Sequence, residues 1–116
     1  MRYASRRESG WLRTIRASGY RAHLVFLALP NADVAVARVA ERVRQGGHSV
    51  PEDIVRRRFI TGLSNLFARY LGAVDTWQMY DNSRVEGPRL IASRVAGDPP
   101  VIADVSAWEA LKEQRS

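Results

Sequence analysis

The chain contains no cysteine, and that absence removes disulfides, thiolate metal sites and cysteine nucleophiles together. Its two histidines, His23 and His48, stand alone in the sequence. Without thiolates beside them they do not compose a zinc site, and no metal ligand is expected on this chain. Lysine is nearly missing too: seventeen arginines accompany the single Lys112. A P-loop needs Gly-x-x-x-x-Gly-Lys-Ser/Thr, because its lysine reaches the terminal phosphates from a glycine-rich cradle. Lys112 sits in Ala-Leu-Lys-Glu-Gln, so that motif is absent. No apolar run approaches the roughly 18 residues that span a bilayer, and Met1-Arg2-Tyr3 leads into no secretory apolar stretch. The expectation is a cytoplasmic chain with no membrane partner. Internal repeats and low-complexity tracts are lacking as well.

What is present is 116 residues, 46% hydrophobic, with a formal net charge of +6. That is one domain at most, with room for a modest core. The positive charge suits a phosphate-bearing partner. Nucleic acid ranks last among such partners, because no aromatic stacking surface or recognition helix accompanies the arginines.

Hydrophobic spacing divides the chain. Trp11, Leu12 and Ile15 recur at helical intervals within residues 5–18, and Ser18-Gly19 forms a stop. Residues 21–29 contain the unbroken apolar run Leu24–Leu29, short enough for a strand covered on both faces. Asn31 then caps a helix to about Gln45, with Asp33 in its first turn and Val36, Val39, Ala40 and Val43 on one face. Ser49-Val-Pro-Glu52 reads as the capped start of a second helix reaching about Gly72. Its inward stripe is Val55, Phe59, Leu63, Leu66, Phe67, Tyr70 and Leu71. Strands follow over 76–80 and 89–94, separated by Asp81-Asn82-Ser83 and a Gly87-Pro88 turn. After the breaker Gly97-Asp-Pro-Pro100, Asp104 caps a last helix over 104–114, where Val105, Trp108 and Leu111 share a face. Helices alternating with strands predict an α/β fold with a parallel sheet, and so few strands leave that sheet incomplete.

Six arginines fall between Arg38 and Arg58, around His48 and the Gly46-Gly47 pair. Guanidinium groups offer planar, permanently charged forks matched to phosphate, and paired glycines allow the backbone to bend between two helices. Arg38 and Arg42 are neighbours at i, i+4. Each feature also has a plainer reading. Arg38 and Arg42 flank Glu41 as residues of an exposed helix surface would, and Gly46-Gly47 serves equally as a helix stop. Arg56, Arg57 and Arg58 point in three directions, so at least one is a solvated or ion-paired side chain and not a ligand, and Arg56 is the one assigned a structural role. His23 fits a strand position, the three tryptophans fit packing, and Asn82 fits a turn.

Several spaced elements occur together: Tyr20-Arg-Ala-His-Leu-Val-Phe-Leu-Ala-Leu-Pro30, Arg38-Val-x-x-Arg42-Val, Gly46-Gly-His-x-Val-Pro51, Arg56-Arg-Arg-Phe59, Gly62-Leu-x-Asn65-Leu and Trp77-x-x-Tyr-Asp-Asn-Ser83. In order and distance, from about Trp11 to Ile91, they resemble the C-terminal half of zeta-toxin-like P-loop kinases. The resemblance implies the C-terminal part of a doubly wound parallel sheet with a helical lid over 31–72 and a nucleotide-side turn within 76–94. It implies ATP and magnesium as cofactors, and a small-molecule hydroxyl acceptor such as a nucleotide sugar. Arg38 and Arg42 would take the catalytic lid positions, with His48 and Arg57 beside them and Asn82 and Ser83 at the base or ribose. The family's P-loop and its substrate-orienting acid precede the matching portion and are not in this chain. Residues 1–116 are therefore expected to be a single partial domain, either a truncated frame or one half of a split protein, inactive alone. A complementing P-loop half or an antitoxin is the expected partner. The alternative is a non-catalytic module that binds a partner through exposed sheet edges.

Overall fold

The computed structural model describes residue 14 and residues 17–115. The helix expected over 5–18 lies outside the described residues except at its end, where Ser18 N donates to Thr14 O (3.2 Å). Beyond it the fold is α/β. Strand β1 (His23–Ala28) leads into helix α1 (Ala32–Arg44) and helix α2 (Glu52–Asn65). A π-helical segment (Leu66–Tyr70) and a last α-turn (Leu71–Ala73) continue α2. Strands β2 (Thr76–Asp81), β3 (Arg89–Arg94) and β4 (Val101–Ile102) follow, and helix α3 (Val105–Gln114) ends the chain.

The sheet has the order β1-β2-β3-β4. β1 and β2 are parallel, from His23↔Thr76 to Ala28↔Asp81, while β3 and β4 each run antiparallel to their neighbour. The expected all-parallel, doubly wound sheet is thus corrected to a mixed one. A parallel pair needs a crossover of a dozen residues or more. Residues 29–75 supply one between β1 and β2, whereas residues 82–88 suffice only to reverse the chain. β4 was not foreseen at all, since two residues beside Pro99-Pro100 carry no strand pattern.

Trp77, Met79, Ile91 and Leu111 are fully buried and centre the core, with Phe59, Leu63, Leu66 and Tyr70 from the long helix packed on them. Six of the seven stripe positions expected in that helix are buried, and Phe67 is half-buried. The π-segment arises where Leu71 N donates to Leu66 O, five residues back. It brings Tyr70 and Leu71 inward together. Trp108 of α3 stacks on Trp77 (5.9 Å between centroids, 2° between planes) and meets Phe67 edge-on (5.2 Å, 70°). Two of the tryptophans are therefore packing residues, as expected; Trp11 lies outside the described residues.

Several local expectations are corrected. β1 is not covered on both faces: Leu24, Phe26 and Ala28 turn inward, while Val25 and Leu27 remain 52% and 41% exposed. No residue of α1 is buried; Ala32 and Ala35 meet the core, and Ala40 and Val43 face solvent. Periodicity identified the helix but not the depth to which it packs. Ser49 does not cap α2. Pro51 occupies the cap position with no side-chain bond, because proline disfavours helical backbone at the residue before it. On α3, Asp104 Oδ1 accepts from Ala107 N (3.1 Å) as expected, but Val105 is exposed and the buried side chain is Leu111. Asn31 caps α1 as expected, accepting from Val34 N (2.9 Å).

Gly46 and Gly47 form a helix stop. Gly46 N donates to Val43 O (3.0 Å) and Gly47 N to Arg42 O (2.8 Å), the paired bonds of a Schellman motif. Gly46 has φ +100, and a Cβ on Gly47 would lie 2.9 Å from Arg42 O. Alanine at Gly46 is expected to cost about 1–2 kcal/mol through left-handed backbone strain, and alanine at Gly47 at least as much, because the clash is with backbone. Leu111→Ala should cost about 2–5 kcal/mol by emptying a core site. Urea unfolding of the three variants checks all of these; a Gly47→Ala protein as stable as the parent would remove the helix-stop reading.

Candidate functional site

The carboxyl ends of β1 and β2 lie side by side because the pair is parallel and in register. There Asn82 N donates to Ala28 O (2.8 Å), extending the pairing one residue past β2. Asp81 Oδ1 accepts from Ser83 N (2.9 Å) and from Ser83 Oγ (2.6 Å), so one carboxylate oxygen folds the chain into a tight turn. That turn holds the Asn82 carbonyl toward α1, where Arg38 Nη2 donates to it at 2.5 Å. Residues 44 apart in sequence, both singled out as site candidates, are thereby joined. The other guanidinium donors of Arg38 make no hydrogen bond among the described residues, and a planar fork with one arm anchored is held in a set direction.

The remaining candidates do not converge there. Arg42 lies one turn beyond Arg38 on α1, and residues 40–49, with His48 among them, are exposed on all sides. Neither the Arg42 nor the His48 side chain has a hydrogen bond or ion pair among the described residues. Arg57 is exposed and reaches Asp53 only at 4.0 Å. The structure thus joins Arg38 to the Asp81–Ser83 turn, and presents Arg42, His48 and Arg57 on the surface of the helical region. Arg56, read as a structural residue, bridges Asp33 Oδ1 (2.7 Å) and Glu52 Oε2 (3.3 Å), tying the first turn of α1 to α2. The Asp33 carboxylate raises the Arg56 pKa further above its ordinary value. Near the end of α1, Arg44 grips Glu41 and, with Gln45, holds its carboxyl below the usual range.

Two contributions were not legible beforehand. Gln114 Nε2 donates to Pro30 O (2.7 Å), fixing the β1–α1 corner from the far end of the chain. A cavity of about 30 Å³ lies under the same corner, lined by Ala28, Leu29, Pro30, Asp81 and the α3 residues Ala107 and Leu111 among others. Its volume is that of about one water molecule, too small for a substrate. Among the described residues no three metal-ligating side chains converge.

No family model matches the chain, and no solved structure does. A stretch of 48 residues, 41% of the chain, is 33% identical to an uncharacterized protein of Haemophilus influenzae and spans 34% of that protein's length. The chain therefore matches about a third of this relative, whose description names no activity.

Removing the Arg38 guanidinium leaves the Asn82 carbonyl without its partner in a half-buried place. Arg38→Ala should lower stability by about 1–2 kcal/mol, and Arg42→Ala by less than about 0.5 kcal/mol, as for a surface change. Thermal and urea unfolding distinguish the two; equal effects would mean that the Arg38 contact holds nothing in place.

Proposed function

We propose that this chain supplies the phosphate-gripping lid and the nucleotide-side turn of a zeta-toxin-like, ATP-dependent kinase acting on a small-molecule hydroxyl, such as that of a nucleotide sugar. The observation that supports this reading is the Arg38–Asn82 bond at the carboxyl end of the parallel β1–β2 pair. Open α/β sheets bind ligands at that end of their strands, and an anchored guanidinium is suited to charge developing on a transferred phosphoryl group. ATP with magnesium would supply that group. Arg38, already oriented, and Arg42, one turn away on the same face, would stabilise it, with His48 and Arg57 completing the basic surface. Asn82 and Ser83 would face the base or ribose. No residue of this chain is assigned to magnesium, and none is assigned as the base that deprotonates the acceptor.

In this reading the phosphate-binding loop comes from a complementing half, and turnover requires both. The same chain admits a second reading, a partner-binding module without catalysis, favoured by the position of β1 at the edge of the sheet among the described residues.

Titration of the folded chain with ATP and magnesium in a calorimeter tests the nucleotide site directly. Binding that is lost in the Arg38→Ala/Arg42→Ala double variant, with circular dichroism unchanged, is the expected result. In an active complex with a P-loop half, the same double variant should lower phosphoryl transfer by about 100- to 1,000-fold. Full activity in that variant would end the lid assignment, and absence of nucleotide binding by the folded parent chain would favour the partner-binding module.

A further inference from the structure

The carboxyl ends of β1 and β2 share their end of the sheet with the start of β3, because β3 runs antiparallel to β2. Arg89, the first residue of β3, lies directly opposite Asp81, and the irregularity in the register falls before this pair, between Met79 and Tyr80. Opposed side chains of a ladder rise from the same face, about 5 Å apart at their bases, and opposite charges so placed ordinarily attract. Here no ion pair forms. Asp81 Oδ1 is engaged by Ser83 N and Ser83 Oγ instead, and among the described residues the exposed Arg89 side chain has neither a hydrogen bond nor an ion pair.

The same face carries Arg38. Asp81 lines the cavity beneath the β1–α1 corner together with residues of α3, so Arg89 rises on the helix-covered side of the sheet. α1 packs on that side through Ala32 and Ala35. Asn82, whose carbonyl holds Arg38, follows Asp81 by one Cα step of about 3.8 Å. Two arginines from different elements thus flank the Asp81–Ser83 turn, each with guanidinium donors that no protein acceptor takes. Their place separates Arg89 from the exposed arginines of the helical region. The other charged residues of the β2–β3 connection, Arg84 and Glu86, are exposed at its tip, where Gly87 N donates to Arg84 O (3.3 Å).

We propose that Arg89 is a second phosphate-binding side chain of this site, and that the ligand is a nucleotide with phosphates on two separate positions of its ribose, one held by Arg38 and the other by Arg89. A guanidinium without an acidic partner keeps its planar fork for a phosphate. The Asp81 carboxylate lies between the two arginines and repels an anion placed over it. The uncharged ribose therefore belongs over the turn, and the phosphates belong at its two sides. This inference rests on the reading of the turn as facing base or ribose, and names the class of nucleotide; it does not depend on phosphoryl transfer.

Calorimetric titration of the full chain with adenosine 3′,5′-bisphosphate and with adenosine 5′-monophosphate tests it. The bisphosphate should bind at least about tenfold more tightly, the scale of one added charge-assisted hydrogen bond. Arg89→Ala should erase that preference while leaving monophosphate affinity within about twofold; Arg89 is exposed, so the fold should survive, which circular dichroism checks. Arg44→Ala removes the same charge from an exposed residue that grips Glu41 and should leave the preference intact. Equal affinity of the parent for the two nucleotides, a preference that persists in Arg89→Ala, or one lost equally in Arg44→Ala would overturn the proposal. If ATP with magnesium still binds the parent and fails to bind the Arg38→Ala/Arg42→Ala variant, the nucleotide reading survives that outcome. A folded chain that binds none of these nucleotides overturns both.

Discussion

The parallel pairing of β1 with β2 is the constraint from which the other features follow. It is locked at both ends. At its start Ala22 N donates to Asp75 Oδ2 (2.6 Å), while Asp75 N and Thr76 N donate to Ala22 O (2.9 and 3.3 Å); at its finish Asn82 N donates to Ala28 O. Closing the crossover of residues 29–75 costs at least about 3 kcal/mol of chain entropy. Burial of Phe59, Leu63, Leu66 and Tyr70 against Trp77 and Met79 offsets that cost, at roughly 1.5–3 kcal/mol for each large apolar side chain. The long helix is thus what makes the parallel pair affordable, and the parallel pair is what sets Asn82 beside Ala28.

From that register follows the position of Arg38. α1 leaves the end of β1 through an Asn31 cap and is tied to α2 by Arg56, so its second helical turn reaches the Asp81–Ser83 turn. Among the described residues, Arg38 is the arginine anchored there. The rest of the basic helical region extends past this contact until the Schellman stop at Gly46-Gly47 ends α1 and leaves His48 in the open. In the proposed phosphate-gripping role, the anchored Arg38 would be the pre-oriented side chain and the exposed Arg42 the one that closes on the anion.

The two sides of the sheet tell a similar story about partners. α2 and α3 cover the face that bears Trp77 and Met79, through the Trp77–Trp108 stack and the Phe67 edge contact. The other face carries Val25, Leu27, Leu90 and Val101 in partial or full exposure. Among the described residues no helix is long and apolar enough to cross a membrane. An uncharged edge strand beside that face is a template for an added strand.

Local chemistry was written plainly in the chain. The Asn31 and Asp104 caps, the glycine stop, the long helical stripe from Val55 to Leu71 and the strand at 23–28 all depend on residues within a few positions of one another, and sterics or period settles them there. A structural role for Arg56 was legible, but not its bridge between Asp33 and Glu52. Whether a strand is central or at an edge, parallel or antiparallel, depends on how the chain returns, and β1 reads as an interior strand although nothing described pairs with its outer edge. Only the tertiary structure chose Arg38 over Arg42 and Arg57, because a guanidinium gains direction from an acceptor 44 residues away that spacing along one helix cannot supply. The sequence by itself determined the elements, their ends and their charge. Their depth, their pairing and the anchoring of Arg38 on the Asn82 carbonyl were decided by contacts between residues far apart in the chain, which form only when the core closes.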